Sequence, residues 1–275
     1  MTLLYRFRFL LTAIFLLSIS SCCKQGDCRC DPGCNKEYWE YFIAHAGGAI
    51  DGVIYTNSLE AMELSYSKGC KLFELDLRLT TDDKLIAIHN EVNLNEAEFM
   101  SQLIAGQYTP MNMEAINDWF ERHPDAILIT DKINDPKRIY DEFLFPDRLI
   151  MELFTWEAVD EAIALGIKPM VSENLIFGKS EEPIEPKRVS NIEKVLKEKN
   201  ITYICMSRSR IPSHKVFLNR MKKNGIKNYV FHLEEPVNGQ PGEQYVWENE
   251  MDYCYGMYAN DLDLLDTLLE KPLEK

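Results

Sequence analysis

The chain has 275 residues, of which 46% are hydrophobic and 11% aromatic, so a sizeable core can be buried and global disorder is not expected. The formal net charge of −14 at pH 7 argues against sequence-independent nucleic-acid binding, because such binding needs Lys and Arg to neutralise phosphates. Once an apparent leader and the short stretch after it are set aside, about 240 residues remain, which suits one α/β barrel better than two small domains.

The first 22 residues have the pattern of a secretion signal. Arg6 and Arg8 give a positively charged start, and the apolar run from Phe9 to Ile19 is too short to span a bilayer comfortably. The run leads through two serines to Cys22, an ending that resembles the bacterial lipobox. We therefore expect cleavage and lipidation at Cys22, with Cys23 as a weaker second candidate. The alternative is an ordinary cleaved signal peptide that leaves Cys22 lost or free.

A short polar stretch, residues 23 to 37, follows the leader and has the composition of a tether. It carries Cys28, Cys30 and Cys34. Their spacing lacks the paired modules of structural zinc sites, so disulfides or unpaired thiols are favoured over zinc. The remaining three cysteines lie next to or within predicted strands, where a cysteine usually behaves as a small buried hydrophobe. They are Cys70, Cys205 and Cys254.

From residue 38 onward, short apolar runs alternate with segments of helical periodicity. The apolar runs, which we predict as strands, are Phe42 to His45, Leu72 to Leu79, Ala126 to Thr130, Leu149 to Phe154, Lys168 to Val171, Ile201 to Met206, Tyr229 to Leu233 and Tyr253 to Met257. The predicted helices include Asn57 to Lys68, Met113 to His123, Thr155 to Leu165, Lys187 to Lys199, Ser213 to Asn224 and Asn260 to Leu269. This repetition predicts a single-domain (β/α)₈ TIM barrel over residues 38 to 275. A doubly wound open sheet is the alternative.

Local signals mark several helix ends. Asn57 followed by Glu60 resembles a capping box at a helix start. Gly166 and Gly225 are plausible helix stops, and Pro136 lies where a helix begins.

The segment from Phe73 to Thr80 alternates strictly between apolar and charged residues, which predicts a strand with two different faces. In a barrel the apolar face must meet the helices, so Glu74, Asp76 and Arg78 are predicted to point inward. Two carboxylates in a partly dry interior repel each other unless a cation lies between them. A divalent metal is the simplest resolution. A solvated polar face or a Glu-Arg ion pair across the barrel is the alternative.

Two histidines lie at predicted strand ends near this segment. His45 ends the first strand, and His89 closes the apolar run that follows the carboxylate strand. The carboxyl ends of barrel strands carry the active site in this architecture, and a neutral imidazole near a metal is suited to acid/base catalysis. We predict that both histidines are catalytic.

The next two predicted strands add further polar groups. Asp131 can complete the metal shell, Lys132 can hold a phosphate, and Glu152 is a competing third metal ligand. For the other histidines we expect surface or supporting roles. They are His123, His214 and His232.

Together these residues resemble the glycerophosphodiester phosphodiesterase family, part of the wider group of phospholipase-C-like barrel phosphodiesterases. The matching positions are His45 and Gly47 for the family's His-Arg-Gly start, Asn57 and Ala61 in its first helix, Glu74 to Thr80 and Asp82 for its Glu-x-Asp strand, and His89-Asn90 for its His-Asp. The likeness is best from residue 43 to 90. It continues more weakly through Asp131-Lys132, Ile150 to Phe154 and Gly256 to Asp261.

The resemblance implies acid/base roles for His45 and His89 and metal ligation by Glu74 and Asp76. The third family ligand is a carboxylate on the third strand, where Asp131 stands. The metal implied is a hard cation that accepts carboxylate oxygens, Ca²⁺ or Mg²⁺.

The chain departs from the family at three points. Ala46 replaces the arginine that normally contacts phosphate, for which Lys132 or Arg78 can compensate. Asp131 and Lys132 are adjacent, whereas the family usually has Glu-x-Lys. The segment from Asn90 to Pro110 is shorter than the family's usual insertion, which shapes the substrate pocket.

The expected function is therefore metal-dependent hydrolysis of a glycerophosphodiester-like substrate to an alcohol and a phosphomonoester. A non-catalytic lipoprotein that binds a phosphorylated headgroup, and a phosphodiesterase acting on phosphoinositide-like substrates, are the alternatives. The expected partners are a small-molecule phosphodiester and a lipid bilayer, with no nucleic acid. The expected location is the bacterial cell envelope, on the periplasmic or surface side.

Overall fold

The computed structural model describes residues 39–178 and 184–269. All described residues belong to one compact unit. The predicted leader, the lipidation site Cys22 and the tether cysteines lie outside the described residues. Among the helices of the described residues, none is long and apolar enough to cross a membrane.

Ten strands are described, numbered in chain order. They are β1 Phe42–Ala44, β2 Leu72–Leu79, β3 Leu85–Ala87, β4 Met111–Asn112, β5 Ile127–Asp131, β6 Leu149–Leu153, β7 Lys168–Ser172, β8 Tyr203–Ser207, β9 Lys227–Phe231 and β10 Gly256–Ala259. The helices are α1 Leu59–Ser67, α2 Glu96–Met100, α3 Met113–Arg122, α4 Pro136–Glu142, α5 Trp156–Ala164, α6 Glu173–Phe177, α7 Pro186–Glu198, α8 Ile211–Lys223, α9 Gly242–Asn249 and α10 Leu262–Leu269.

Eight of the strands form a closed parallel barrel. Strands β1, β2 and β5 to β10 pair in parallel around the ring, and β1 bonds to both β2 and β10. The predicted TIM barrel is confirmed, and the open-sheet alternative is wrong because both edges of the sheet are joined. The eight predicted runs each contain part of a barrel strand. The last is displaced most, since the run predicted from Tyr253 begins as a strand only at Gly256.

A hairpin extension was not predicted. Strand β2 continues beyond the barrel, and its end pairs antiparallel with β3, which in turn pairs antiparallel with β4. The turn between β2 and β3 closes through a hydrogen bond from the Thr80 amide to the Lys84 carbonyl, with Asp83 at positive φ. His89 therefore follows a strand that runs back along β2 and is not at the exit of a barrel strand.

The start of α1 differs from the prediction. Ser58, and not Asn57, is the N-cap, and its side chain accepts a hydrogen bond from the Ala61 amide. Asn57 lies at a φ of 49°, and its amide group bonds to Asp76. Glu60 binds the amide and hydroxyl of Thr109. The predicted capping box is therefore wrong, because both of its side chains have partners outside the helix.

Two apolar layers enclose the barrel wall. The larger lies between the sheet and the helices and includes Phe73, Leu75 and Leu77. The smaller fills the barrel interior and consists of Ile43, Leu72, Ile129, Ile150, Met170, Cys205, Tyr229 and Tyr258. Two residues further along their strands, the inward positions become polar, as at Glu74 and Glu152. The predicted alternation of β2 is confirmed, and it places carboxylates inside the barrel above an apolar floor.

Candidate active site

Three carboxylates meet at the carboxyl end of the barrel. Asp76 and Asp131 are paired partners on β2 and β5, and Glu74 lies one inward position below Asp76. One carboxylate oxygen from each of the three lies within 4.8 Å of the others. Glu74 and Asp76 are each only 1% exposed. Among the described residues this group does not include Glu152, so the geometry favours Asp131 as the third candidate ligand.

The three carboxylates differ in their surroundings. Burial raises the pKa of Glu74 well above its ordinary value, and the charges of Asp76 and Asp131 raise it further. Burial also acts to raise the pKa of Asp76, but hydrogen bonds from His89 and Asn57 and the charge of Lys132 outweigh it and hold this pKa at about 2. Asp76 is therefore ionised at neutral pH, while Glu74 tends to keep a proton.

Lys132 provides the nearest positive charge. Its Nζ lies 2.5 Å from Asp131 Oδ2 and 3.3 Å from Asp76 Oδ1. Although burial opposes it, these carboxylates raise the pKa of Lys132 above its ordinary value. The ammonium group thus joins two members of the cluster, and phosphate binding by Lys132 stays a prediction.

The donor set suits a hard divalent cation. Glu74 Oε2 accepts a hydrogen bond from the Ala46 amide at 2.8 Å, whereas Glu74 Oε1 is buried without a hydrogen-bond partner. A buried oxygen of this kind is costly unless a proton or a cation satisfies it. Three convergent carboxylates with one unpaired oxygen match the oxygen ligands that Ca²⁺ and Mg²⁺ take. Glu74, Asp76 and Asp131 therefore fit a metal site.

His45 follows β1 and begins a short 3₁₀ turn, His45–Gly47. Ala46 within this turn has a φ of 48°, which directs its amide to Glu74. Burial lowers the pKa of His45 to about 4, although Asp76 and Glu234 act in the opposite direction. Its Nδ1 is enclosed without a hydrogen-bond partner. At neutral pH this imidazole is uncharged and able to accept a proton.

His89 reaches the same region from the hairpin. Its Nδ1 lies 3.1 Å from Asp76 Oδ2, and its side chain is 34% exposed. Asn57 supports this carboxylate, because its Nδ2 donates to Asp76 Oδ2 and its Oδ1 accepts from the Asp76 amide, both at 2.9 Å. The two histidines thus differ, since His89 Nδ1 has a carboxylate within hydrogen-bond distance and His45 Nδ1 does not.

Tyr55 contacts both histidines. Its ring stacks on His89 with centroids 4.3 Å apart and meets the edge of His45 at 4.9 Å. Its hydroxyl donates to Glu234, which follows β9. The sequence carried no signal for Tyr55, which lies in an irregular loop at a φ of 61°. Glu234 was likewise missed, because it is 179 residues away along the chain.

Both histidines, Tyr55 and Lys132 line one cavity of about 230 Å³. It is lined by His45, Tyr55, His89, Asp131, Lys132, Glu152, Phe154, Ser172, Glu173, Asn174, Phe231, His232 and Tyr258. Glu152 lies in its wall, where burial and the charge of Asp131 raise its pKa to about 8. His232, expected to have a surface or supporting role, also contributes to the lining.

Arg78 lies outside this lining. Its Nε donates to the His89 carbonyl at 3.1 Å, and its guanidinium group is 3.8 Å from Glu91. Arg78 was predicted to point into the barrel. At this position β2 has left the barrel and pairs with β3, so Arg78 lies in the hairpin. Arg78 is therefore placed to support the His89 backbone, and a direct contact with substrate stays a prediction.

Comparisons with known proteins agree with the architecture. No family model and no curated protein sequence matches the chain. Solved structures that share the fold include a glycerophosphodiester phosphodiesterase from Parabacteroides distasonis, with 16% identity and a TM-score of 0.63 over 84% of this chain and 96% of its own. A glycerophosphodiester phosphodiesterase from Thermotoga maritima has 18% identity and a TM-score of 0.60 over 83% and 97%.

A third similar structure is an Oleispira antarctica phosphodiesterase in complex with the product sn-glycerol-3-phosphate. It has 13% identity and a TM-score of 0.62, over 86% of this chain and 99% of its own. At such identities the likeness establishes the barrel fold, and the chemistry has to be argued from the residues of this chain.

Proposed function

We propose that this chain is a metal-dependent phosphodiesterase that hydrolyses a glycerophosphodiester-like substrate to an alcohol and a phosphomonoester. The observation that carries the proposal is that His45, His89 and Asp131 line one cavity at the carboxyl end of the barrel. An acid/base pair beside a carboxylate cluster that can hold a metal ion is suited to phosphodiester cleavage.

The two imidazoles have different surroundings, which suggests different roles. With its pKa near 4, His45 is uncharged at neutral pH and can take a proton from water or from a neighbouring substrate hydroxyl as it attacks phosphorus. His89 bonds to Asp76 through Nδ1, and this contact fixes the orientation of its ring. With His45 as the base, His89 takes the complementary role and protonates the departing alkoxide.

The carboxylate group would hold the cofactor. Glu74, Asp76 and Asp131 would bind Ca²⁺ or Mg²⁺, which as a Lewis acid would stabilise charge on the phosphoryl oxygens. Lys132 adds a positive charge beside Asp131. Ala46 offers no guanidinium group to a phosphate. Lys132, which lines the cavity beside the carboxylates, is therefore proposed to contact the phosphate.

The product found in the Oleispira antarctica structure suggests what to look for. If this chain cleaves the same side of a glycerophosphodiester, the phosphomonoester formed is glycerol 3-phosphate. Release of that product from glycerophosphodiesters, with and without a chelator, tests the proposal. A phosphoinositide-like substrate would use the same residues, and a panel of diesters separates the two.

A binding protein without turnover is the second candidate. Ala46 stands in place of an arginine, and Lys132 is held by two carboxylates, so less positive charge is available to stabilise the transition state of turnover. Saturable binding of a phosphodiester without product release would favour this candidate.

We further propose that the chain is anchored to the bacterial cell envelope through a lipidated Cys22. This proposal rests on the leader pattern in the sequence alone.

A further inference from the structure

His45 has a buried nitrogen with no partner. Its Nδ1 is enclosed, while the ring as a whole lines the cavity, which leaves Nε2 as the nitrogen available for proton transfer. An uncharged imidazole carries one hydrogen, on either Nδ1 or Nε2, and a partner at one nitrogen selects between the two forms. For His45 to act as a base through Nε2, the hydrogen has to be on Nδ1.

Glu234 is the carboxylate that lies beside this nitrogen. Its Oε1 lies 3.9 Å from His45 Nδ1, and its side chain is 23% exposed. The same oxygen already accepts the hydroxyl of Tyr55, whose ring rests against His45. A carboxylate oxygen can accept two hydrogen bonds, so the tyrosine holds the carboxylate in place without using up its capacity.

We propose that Glu234 is a positioning residue for His45, with Tyr55 fixing the carboxylate. In the reacting complex Glu234 Oε1 accepts the His45 Nδ1 hydrogen, which fixes the tautomer and turns Nε2 toward the substrate. A shift of about 1 Å brings the pair into hydrogen-bond range, and catalytic hydrogen bonds are often longer before substrate binds. The role of Glu234 in turnover rests on the proposed function, whereas its effect on the His45 tautomer does not.

The proton that the nucleophile loses is taken up by His45. As the nucleophile forms its bond to phosphorus, its hydrogen passes to His45 Nε2, and the ring becomes an imidazolium. Glu234 stabilises that charge and keeps its own proton count unchanged. The arrangement matches the one at the other histidine, where Asp76 holds His89 through Nδ1. Each imidazole would thus have one carboxylate.

The test compares Glu234→Gln with Glu235→Gln, a matched charge change at the exposed neighbouring position. Two quantities are measured for folded protein of each variant: the ¹⁵N chemical shifts of the His45 ring at neutral pH, and kcat and KM with a glycerophosphodiester. The glutamine amide can donate to Nδ1, so Glu234→Gln should move the hydrogen to Nε2 and lower kcat on the order of 10²-fold. KM should be unchanged, because Glu234 does not line the cavity.

Further variants separate Glu234 from Tyr55. Glu234→Asp should restore part of kcat, since the carboxylate remains on a shorter side chain. Tyr55→Phe keeps the ring and removes only the donor, so its loss of kcat should be smaller than that of Glu234→Gln. Glu235→Gln should behave as wild type.

The inference is overturned if Glu234→Gln keeps the wild-type ¹⁵N pattern of His45, or if it changes KM and not kcat. It is also overturned if Tyr55→Phe abolishes turnover while Glu234→Gln retains it, because the tyrosine would then act alone. Absence of turnover in the wild-type protein would refute the proposed function instead. The ¹⁵N shifts would still decide whether Glu234 sets the His45 tautomer.

Discussion

Replacing Glu74 with glutamine should stabilise the protein in the presence of a chelator. Burial and the neighbouring carboxylates raise the pKa of Glu74 in the folded state. A group with a raised folded-state pKa contributes stability that is fully present below its unfolded pKa and is lost as pH rises through the folded value. At pH 7 the wild-type protein therefore has a lower free energy of unfolding than at low pH. Glu74→Gln has no proton to lose at this position, so its free energy of unfolding does not fall in this way.

The size of this effect has a ceiling. Keeping Glu74 protonated at pH 7 costs about 1.4 kcal/mol per pH unit above its unfolded pKa, or roughly 3.5 kcal/mol in all. The amide keeps the shape of the side chain and can still accept the Ala46 hydrogen bond, but burying its NH₂ group offsets part of the gain. We expect a net gain of about 1 to 3 kcal/mol, which raises Tm by roughly 3 to 10 °C for a chain of this size.

Metal should reverse the order of stability. A cation at 100 times its Kd adds about 2.7 kcal/mol to the wild-type protein. Glu74→Gln removes one of three ligand charges and should lose most of that gain. Thermal unfolding is therefore followed at pH 5 to 8, in chelator and with Ca²⁺ or Mg²⁺. Glu121→Gln, at an exposed position, serves as the control.

In chelator, the difference in Tm between Glu74→Gln and wild type should shrink as pH falls toward the ordinary pKa of a glutamate. If Glu74→Gln is less stable than wild type in chelator at pH 8 and still shows the full metal-induced rise in Tm, the Glu74 carboxylate neither destabilises the folded protein nor binds the metal.

Three further predictions concern activity and anchoring. His45→Ala and His89→Ala should each lower turnover on the order of 10²-fold or more, and the double variant should be little worse because the residues act as a unit; unchanged specific activity per folded molecule in both would exclude acid/base roles. Asp76→Asn should remain folded by its melting curve yet lose most activity, with partial recovery in excess metal; full activity would exclude Asp76 as a ligand. Cys22→Ser should no longer partition into detergent, because acyl chains supply the anchor, and lipidation at the wild-type level would contradict this.

Much of the barrel was predictable because its signals are local. Apolar runs separated by helical segments located eight parallel strands, and the alternation along β2 separated the inward carboxylates from the outward leucines. The inward direction of Glu74 and Asp76 followed from that alternation. The alternation did not decide between Asp131 and Glu152 as the third ligand, because both lie on strands of the same barrel, and only the resemblance favoured Asp131.

The features that were missed depend on contacts between distant segments. His89 closes an apolar run that the sequence shows, but the antiparallel pairing of this run with β2, which brings His89 to the cavity, was not predicted. Asn57 is of a residue type that often caps helices, yet its amide bonds to Asp76. Tyr55 and Glu234 come from loops after different strands, and no local pattern joins them. Only the folded chain brings these two to His45.

The decisive measurement is turnover of a glycerophosphodiester, first in chelator and then after addition of Ca²⁺ or Mg²⁺. We expect the wild-type protein to release a phosphomonoester only when metal is present, and we expect no comparable release by His45→Ala under the same conditions. Turnover that is unaffected by the chelator, or a wild-type protein that binds the diester with metal present and never releases product, would contradict this expectation.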